Sequence, residues 1–421
     1  MTPAMGLTVA VLIAVGAGLA WWAGGPRGRL TVWWTPVRVL ILGYLILDGL
    51  GGVALAASGE ANGGPLLIGA AFVAMGIGVW LVYTSAGPPA AIPASFEVGP
   101  LRMWVALALV AVGLAMYAGL AVDHGIPLLS GDAQAARLGW GGARLDLFRW
   151  LVPPAALLCL GVALAGRRRT LAIAAAGALA GVVALEVAIA SRALPLELGL
   201  AALLVALWAG QRVRLRGWIV LTVAAALLFF GVLFARVAPE GGFAGPLDTL
   251  AFAVNRTIGR VVLIHPRTIE IVVDVYPAEE SYLAGASYVR WLASVRGVDP
   301  PPALGSELFE RLFPNEPPGG FAAPGLLAEA YANFGPVWAL LVMVGLGAFA
   351  AWVGRWLPRA SPDAATRVLA ALIVVALLRT YATSLNGFGL TVGAAVGWWF
   401  LVESGGIGRQ LAGVRVRLGR A

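Results

Sequence analysis

The stretch "LLIGAAFVAMGIGVWLVYT" (residues 66–84) contains no charged side chain. As a helix it is long enough to cross the ~30 Å hydrocarbon core of a membrane. Apolar runs of similar length recur along all 421 residues, of which 60% are hydrophobic and only 12% are charged. The runs lack the alternation of barrel strands, and in lipid each helix satisfies its own backbone groups. The sequence therefore predicts an all-α polytopic integral membrane protein and excludes a soluble globular one.

The apolar runs predict eleven transmembrane helices in one membrane domain that covers residues 1–421. We expect the first run, from Ala4 to Trp22, to be a retained span because no basic segment or clear cleavage site marks it as a signal peptide. The predicted spans are 4–23, 33–57, 66–84, 104–122, 147–165, 170–190, 196–210, 218–236, 335–354, 368–385 and 388–404.

Arginine-rich loops predict the orientation of the chain in the membrane. The loops "GPRGRL" (25–30), "GRRRT" (166–170) and "QRVRLRG" (211–217) fall on one side, which is therefore cytoplasmic. The N-terminus is then outside, and the C-terminus is cytoplasmic. The long segment 237–334 becomes an extracytoplasmic cap with three predicted amphipathic helices, at 247–266, 279–295 and 306–314.

Several arginines lie on the predicted outer side, although short outer loops usually contain few arginines. One reading is that each pairs with a nearby acid, but those acids are too few to neutralise the whole set. The planar guanidinium group also suits a pyrophosphate, which accepts bidentate hydrogen bonds. The candidates for pyrophosphate binding are Arg192, Arg256, Arg260 and Arg379, followed by Arg137 and Arg149.

Acidic side chains within or beside apolar runs are a second unusual feature. Asp48 and Glu186 lie inside such runs, and Glu329 lies in "GLLAEAYANFG" (325–335). A buried carboxylate either makes a structural hydrogen bond or accepts a proton from a hydroxyl group as a general base. Tyr331 and Asn333, between the expected helix breaks at glycines 325 and 335, make this stretch a polar approach to the next span.

The sequence also lacks the motifs of several other chemistries. No glycine-rich phosphate loop is present, so nucleotide-driven work is not expected. With one cysteine and two histidines, and with no D-x-D pair, we expect neither a metal nor any other cofactor. The net charge of +8 belongs to membrane-flanking loops, so nucleic acid is not an expected partner.

Three stretches resemble the Wzy-type O-antigen polymerases, which join oligosaccharide repeat units. They are "GIPLLSGDAQAARLG" (125–139), "ASRALPLELG" (190–199) and "FAAPGLLAEAYANFGPVW" (321–338). The resemblance implies a fold similar to GT-C glycosyltransferases in a bacterial inner membrane. It also implies a donor and an acceptor glycan linked to undecaprenyl pyrophosphate, membrane lipids around the protein, and an associated chain-length regulator.

The resemblance, together with the charge pattern, gives each candidate residue an expected role. Glu329 first and Glu186 second would deprotonate the acceptor hydroxyl, Tyr331 and Asn333 would orient sugar hydroxyls, and the arginines would stabilise the leaving pyrophosphate. An O-antigen ligase using His265 is the nearest alternative. A transporter of lipid-linked oligosaccharide or solute is another, although its typical inverted repeats are not evident in the sequence.

Overall fold

The computed structural model describes most of the chain. The described residues are 3–23, 35–59, 62–86, 98–127, 143–188, 193–211, 259–295, 303–315, 322–359, 363–381 and 391–402, with isolated positions at 216–255 and 383–389. Within these ranges the chain is 87% helical and contains no strand, so the predicted all-α class is confirmed there.

The helices are named in chain order. They are α1 (Pro3–Ala23), α2 (Pro36–Tyr44), α3 (Leu50–Ser58), α4 (Gly64–Ala86), α5 (Pro100–His124), α6 (Ala143–Ala165), α7 (Arg169–Ala188), α8 (Ala193–Trp208), α9 (His265–Val275), α10 (Ala286–Val295), α11 (Leu304–Leu312), α12 (Gly325–Arg359), α13 (Ala364–Arg379) and α14 (391–402). Two π-helical turns, Leu45–Gly49 and Gly259–Ile264, join α2 to α3 and lead into α9.

Among the described residues, six helical segments are long and apolar enough to span a membrane. They are Ala4–Ala23, Pro36–Ser58, Gly64–Ser85, Arg102–His124, Arg169–Val187 and Gly325–Trp356. The predicted span 147–165 falls on α6, whose apolar part from Trp150 to Ala165 is shorter, and the predicted spans 196–210, 368–385 and 388–404 fall on the shorter helices α8, α13 and α14. The predicted span 218–236 lies outside the described residues.

The chain divides into two compact units. Unit 1 comprises Met1–Ala91, Arg256–Arg359 and Ala376–Thr391, and unit 2 comprises Ile92–Asn255, Ala360–Val375 and Val392–Ala421. In unit 1, α4 packs along both α1 and α12. Added Cβ atoms at Gly78 and Gly347 would overlap the backbone of the facing helix, so these glycines allow α4 and α12 to approach closely.

In unit 2, helices α5 to α8 pack around a small apolar cluster. Its centre is formed by Tyr117, Leu120, Val152, Val182 and Leu198. The Arg102 guanidinium donates to Asp363 at 2.8 Å and thereby ties the start of α5 to the start of α13. The Asp363 carboxylate also accepts from the Thr366 backbone and hydroxyl group, so it caps α13.

The structure corrects three predicted helix boundaries. The helix predicted at 279–295 begins only at Ala286, because Ala284 and Gly285 both have positive φ angles. The first cap helix was expected to end at residue 266. Instead, α9 begins at His265, has Pro266 in its first turn and continues to Val275. The run 368–385 stops being helical at Arg379, where the backbone turns after Leu377.

Candidate functional site

The Glu329 carboxylate is held inside unit 1 by two donors from separate parts of the chain. Glu329 lies in the second turn of α12 and is 2% exposed. Its Oε1 accepts from the Ser287 hydroxyl of α10 at 2.9 Å, and its Oε2 accepts from the Leu385 backbone N–H at 2.5 Å. Each carboxylate oxygen therefore has its own donor, which fixes the rotamer of the side chain.

The Asn333 side chain lies one helical turn after Glu329 and holds Ser287 in place. Its Nδ2 donates to the Ser287 Oγ and to the Glu329 carbonyl, both at 2.7 Å. Its Oδ1 accepts from the Gly285 N–H at 3.0 Å, at the residue that precedes α10. The three side chains thus form a connected path, from the Asn333 amide through the Ser287 hydroxyl to the Glu329 carboxylate.

Two glycines shape the helical segment that carries Glu329. Gly325 begins α12 with φ +69°, and a Cβ there would overlap the Tyr381 carbonyl oxygen. Gly335 interrupts the helix with φ +81° and ψ −171°, a region that essentially only glycine adopts. The expected breaks at both glycines are confirmed, and they isolate the segment 325–334 as a short helix with its own direction.

Aromatic rings border this short helix. The Phe334 ring packs against Tyr288 at a centroid distance of 6.3 Å and against Trp338 at 5.5 Å. Phe334 is 47% exposed and Trp338 is 39% exposed. The Trp338 Nε1 donates to the Tyr288 hydroxyl at 3.2 Å, and burial raises the pKa of Tyr288 to about 12. The three rings offer an exposed apolar surface next to a polar path, an arrangement that suits the faces of a sugar.

Arg379 is the predicted arginine whose backbone lies closest in the chain to the Glu329 contacts. It is the last residue of α13, where the partial negative charge of the helix end favours a cation. The next residue, Thr380, accepts a backbone hydrogen bond from the Leu326 N–H at 2.8 Å. Arg379 is partly buried. Arg379 therefore lies at the end of α13, whereas the predicted span 368–385 continues for six residues beyond it.

Two other groups in unit 1 approach the segment after Arg379. The His265 ring packs edge-on against Tyr381 at 5.0 Å, and burial lowers the pKa of His265 to about 4. The Tyr44 hydroxyl and the Thr380 hydroxyl share a hydrogen bond of 2.7 Å. Asp48 is buried in the π-helical turn that follows Tyr44, and its Oδ1 has no hydrogen-bond partner among the described residues.

The other predicted site residues have different described surroundings or lie outside what the structure describes. Glu186 is fully buried in α7 of unit 2, next to the Leu185 carbonyl that accepts from Tyr117 at 3.0 Å. The Tyr331 ring is buried and packs against Tyr282 at 6.3 Å. Helical backbone is described for Arg149 in α6 and for Arg260 in the second π-helical turn, but their side chains are not described. Three arginines lie outside the described residues: Arg137, Arg192 and Arg256.

Sequence reasoning missed several members of this site. Ser287 and the Leu385 amide contact Glu329 from 42 and 56 positions away in the chain. A single serine in an amphipathic helix gives no local signal of such a contact. The aromatic residues Phe334 and Trp338 were open to recognition as a pair, because side chains four positions apart lie on one face of a helix.

Comparison with known proteins gives no further assignment, since no family model, no curated protein and no solved structure matches this chain.

Proposed function

We propose that this protein is a membrane glycosyltransferase that polymerises lipid-linked oligosaccharide repeat units, as its resemblance to the Wzy-type polymerases implies. The donor and the acceptor are glycans on undecaprenyl pyrophosphate at the outer face of a bacterial inner membrane. The finer architecture belongs to the same proposal: eleven spans, a GT-C-like arrangement, the N-terminus outside and the C-terminus in the cytoplasm.

The observation that carries the proposal is a buried, oriented carboxylate beside an exposed aromatic surface. The Glu329 side chain has a fixed geometry, because Ser287 and the Leu385 amide each hold one of its oxygens. Phe334 and Trp338 provide the neighbouring exposed rings. A positioned general base next to a surface that suits a sugar ring is what transfer to a sugar hydroxyl requires.

The chemistry follows from these positions. The acceptor hydroxyl loses its proton to the Glu329 carboxylate, and its oxygen forms a bond to the anomeric carbon of the donor. The bond between that carbon and the pyrophosphate oxygen breaks, and the pyrophosphate leaves with the electron pair. No nucleotide is consumed, because the energy resides in the glycosyl-pyrophosphate bond.

Arginines stabilise the charge of the leaving pyrophosphate in this scheme. Arg379 supports this role through its place at the end of α13, next to the segment that contacts the Glu329 helix. Arg256 and Arg260 remain sequence-based candidates for the same role, as do Arg192, Arg137 and Arg149. Replacing Arg256 or Arg260 by alanine is expected to abolish polymer while protein expression continues.

The test is complementation of a strain that lacks this protein. We expect the strain to lose the ladder of long surface polysaccharide and to accumulate single repeat units on the carrier lipid. The wild-type protein restores the ladder, whereas Glu329→Gln, which keeps the size of the side chain, does not. A ladder restored by Glu329→Gln at wild-type expression refutes the assignment of Glu329.

The nature of the accumulated material separates the rival functions. Long polymer that stays on the carrier lipid in the deletion strain indicates a ligase. Repeat units that remain on the inner face of the membrane indicate a transporter. Either result contradicts the polymerase proposal.

A further inference from the structure

A polar cluster lies on the side of the short helix that is opposite to Glu329. Tyr331 follows Glu329 by two positions, a spacing that places the two side chains about 200° apart around an α-helix. The Tyr331 ring packs against Tyr282, and the Asp274 carboxylate at the end of α9 lies close enough to Tyr331 to interact with it electrostatically. The Asn62 side chain, in the turn between α3 and α4, donates to the Asp274 Oδ1 at 3.2 Å.

Two sets of backbone contacts fix the positions of these side chains. The Glu270 carboxylate of α9 accepts from the backbone N–H of Asn62 and from the first N–H of α4, so the turn between α3 and α4 is held against α9. The Leu283 N–H donates to the Ala332 carbonyl at 2.9 Å, which ties the residue after Tyr282 to the short helix. The cluster is therefore pre-organised, and a ligand binds there without first ordering the protein.

The cluster presents its hydrogen-bonding groups at the surface of unit 1. Asp274 and Asn62 are exposed, and Tyr282 is half-buried. Asn62 occupies one oxygen of Asp274, and among the described residues the other oxygen has no donor. A carboxylate, an amide that both donates and accepts, and a phenol ring match the hydroxyl groups and the ring face of a sugar. The negative charge of Asp274 repels the carboxylate of an acidic sugar, so the cluster favours a neutral one.

We propose that Asn62, Asp274 and Tyr282 form a subsite that binds a neutral sugar residue of the glycan. The subsite rests on the glycosyl transfer proposed above and gives the same substrate a second contact. An α-helix with its side chains is about 10–12 Å across, so this sugar residue is not the one that reacts at Glu329. Tyr331 is 9% exposed and supports the Tyr282 ring from the interior. The subsite thus selects the repeat unit and takes no part in bond formation.

The test measures the binding of free monosaccharides to the purified full-length protein by saturation-transfer NMR, in a detergent without a sugar headgroup. The probes are glucose, galactose, mannose and N-acetylglucosamine, with glucuronic acid as the acidic counterpart. Every protein carries Trp338→Ala, which removes the binding contribution of the aromatic surface beside Glu329. We expect at least one neutral sugar to bind, and glucuronic acid to bind about tenfold more weakly than that sugar.

Variants of the subsite connect the binding to named side chains. Asp274→Asn keeps the size of the side chain and an acceptor for Asn62, but it should weaken the binding of the neutral sugar about tenfold through the loss of charge-assisted hydrogen bonds. Tyr282→Phe removes one hydroxyl group and should weaken binding about threefold. Glu310→Gln, at an exposed carboxylate of α11, is the matched control and should bind like its parent. If Asp274→Asn fails to fold, Tyr282→Phe decides.

The outcomes separate the subsite from the proposed transfer reaction. Absence of binding by all four neutral sugars, tighter binding of glucuronic acid, or equal affinity in Asp274→Asn, Tyr282→Phe and Glu310→Gln refutes the subsite. Because the assay involves no transfer, its result is independent of the polymer ladder. Binding that depends on Asp274, together with a ladder restored by Glu329→Gln, refutes the role of Glu329 and leaves the subsite standing.

Discussion

Replacing Gly335 by alanine tests whether the interruption of α12 positions the Glu329 carboxylate. The backbone at Gly335 has φ +81° and ψ −171°, and for an alanine this conformation costs on the order of 1–3 kcal/mol. The new Cβ would also lie 2.8 Å from the Tyr282 hydroxyl, which has to move aside. The strain is relieved if α12 straightens through this position.

Straightening α12 would change the direction of the segment 325–334. Glu329 would then lose the alignment that its hydrogen bonds to Ser287 and Leu385 require. Misplacement of a catalytic group by about 1 Å can reduce a rate about a hundredfold. We therefore expect Gly335→Ala to lower the thermal midpoint and to reduce the polymer ladder about a hundredfold in the complemented deletion strain.

Gly345→Ala is the matched control for this prediction. Gly345 lies in the same helix, and a Cβ there would have no neighbour within 4 Å. Alanine is favoured over glycine inside a helix by about 1 kcal/mol, so this variant should be at least as stable as the wild type and fully active. If Gly335→Ala matches Gly345→Ala in both stability and ladder length, the break does not position the site.

Three further predictions concern single side chains. Ser287→Ala should reduce polymerisation about tenfold, because Glu329 loses the donor to its Oε1. Ser287→Thr keeps a hydroxyl group and should retain most of the activity. Equal activity in the wild type, Ser287→Ala and Ser287→Thr contradicts the positioning role. Because the folded-state pKa of His265 is about 4 and its ordinary value is 6.5, the unfolded state binds the proton first as the pH falls. Wild-type stability should therefore decrease between pH 6.5 and 4, by up to about 3 kcal/mol, and His265→Gln should lack this part of the decrease in pH-dependent thermal unfolding. Trp338→Ala should raise the lipid-linked substrate concentration needed for half-maximal rate about fivefold, whereas Trp104→Ala, at another exposed position, should leave it unchanged.

The sequence was sufficient to place the six long apolar helices that the structure describes, because length and composition alone determine which segments are stable in lipid. It was also sufficient to identify the breaks at Gly325 and Gly335. It was insufficient for the end of α13, which depends on contacts made after folding. Thr380 donates its hydroxyl hydrogen to the Leu377 carbonyl, and its own carbonyl accepts from Leu326, so the helix ends where another segment binds it.

The candidate site shows the same division between local and distant information. Glu329 and Asn333 were identifiable because a carboxylate and an amide are unusual beside an apolar run. Ser287 was not identifiable, because its importance arises from a contact 42 positions away along the chain. The paired arginines at 256 and 260 remain predictions, since the described residues do not include their side chains.

The π-helical turn at Leu45–Gly49 interrupts the span Pro36–Ser58 and determines which side chains face the protein interior before and after it. Such a turn accommodates one residue more than a regular α-helix, so the face of the span shifts by about 100° across it. The face that Leu50–Ser58 buries is therefore not in line with Pro36–Tyr44; it consists of Gly51, Gly52, Leu55 and Ala56. Deleting one residue of the turn would restore an unbroken ladder of backbone hydrogen bonds, but it would rotate the second half and turn some of its apolar contacts towards lipid.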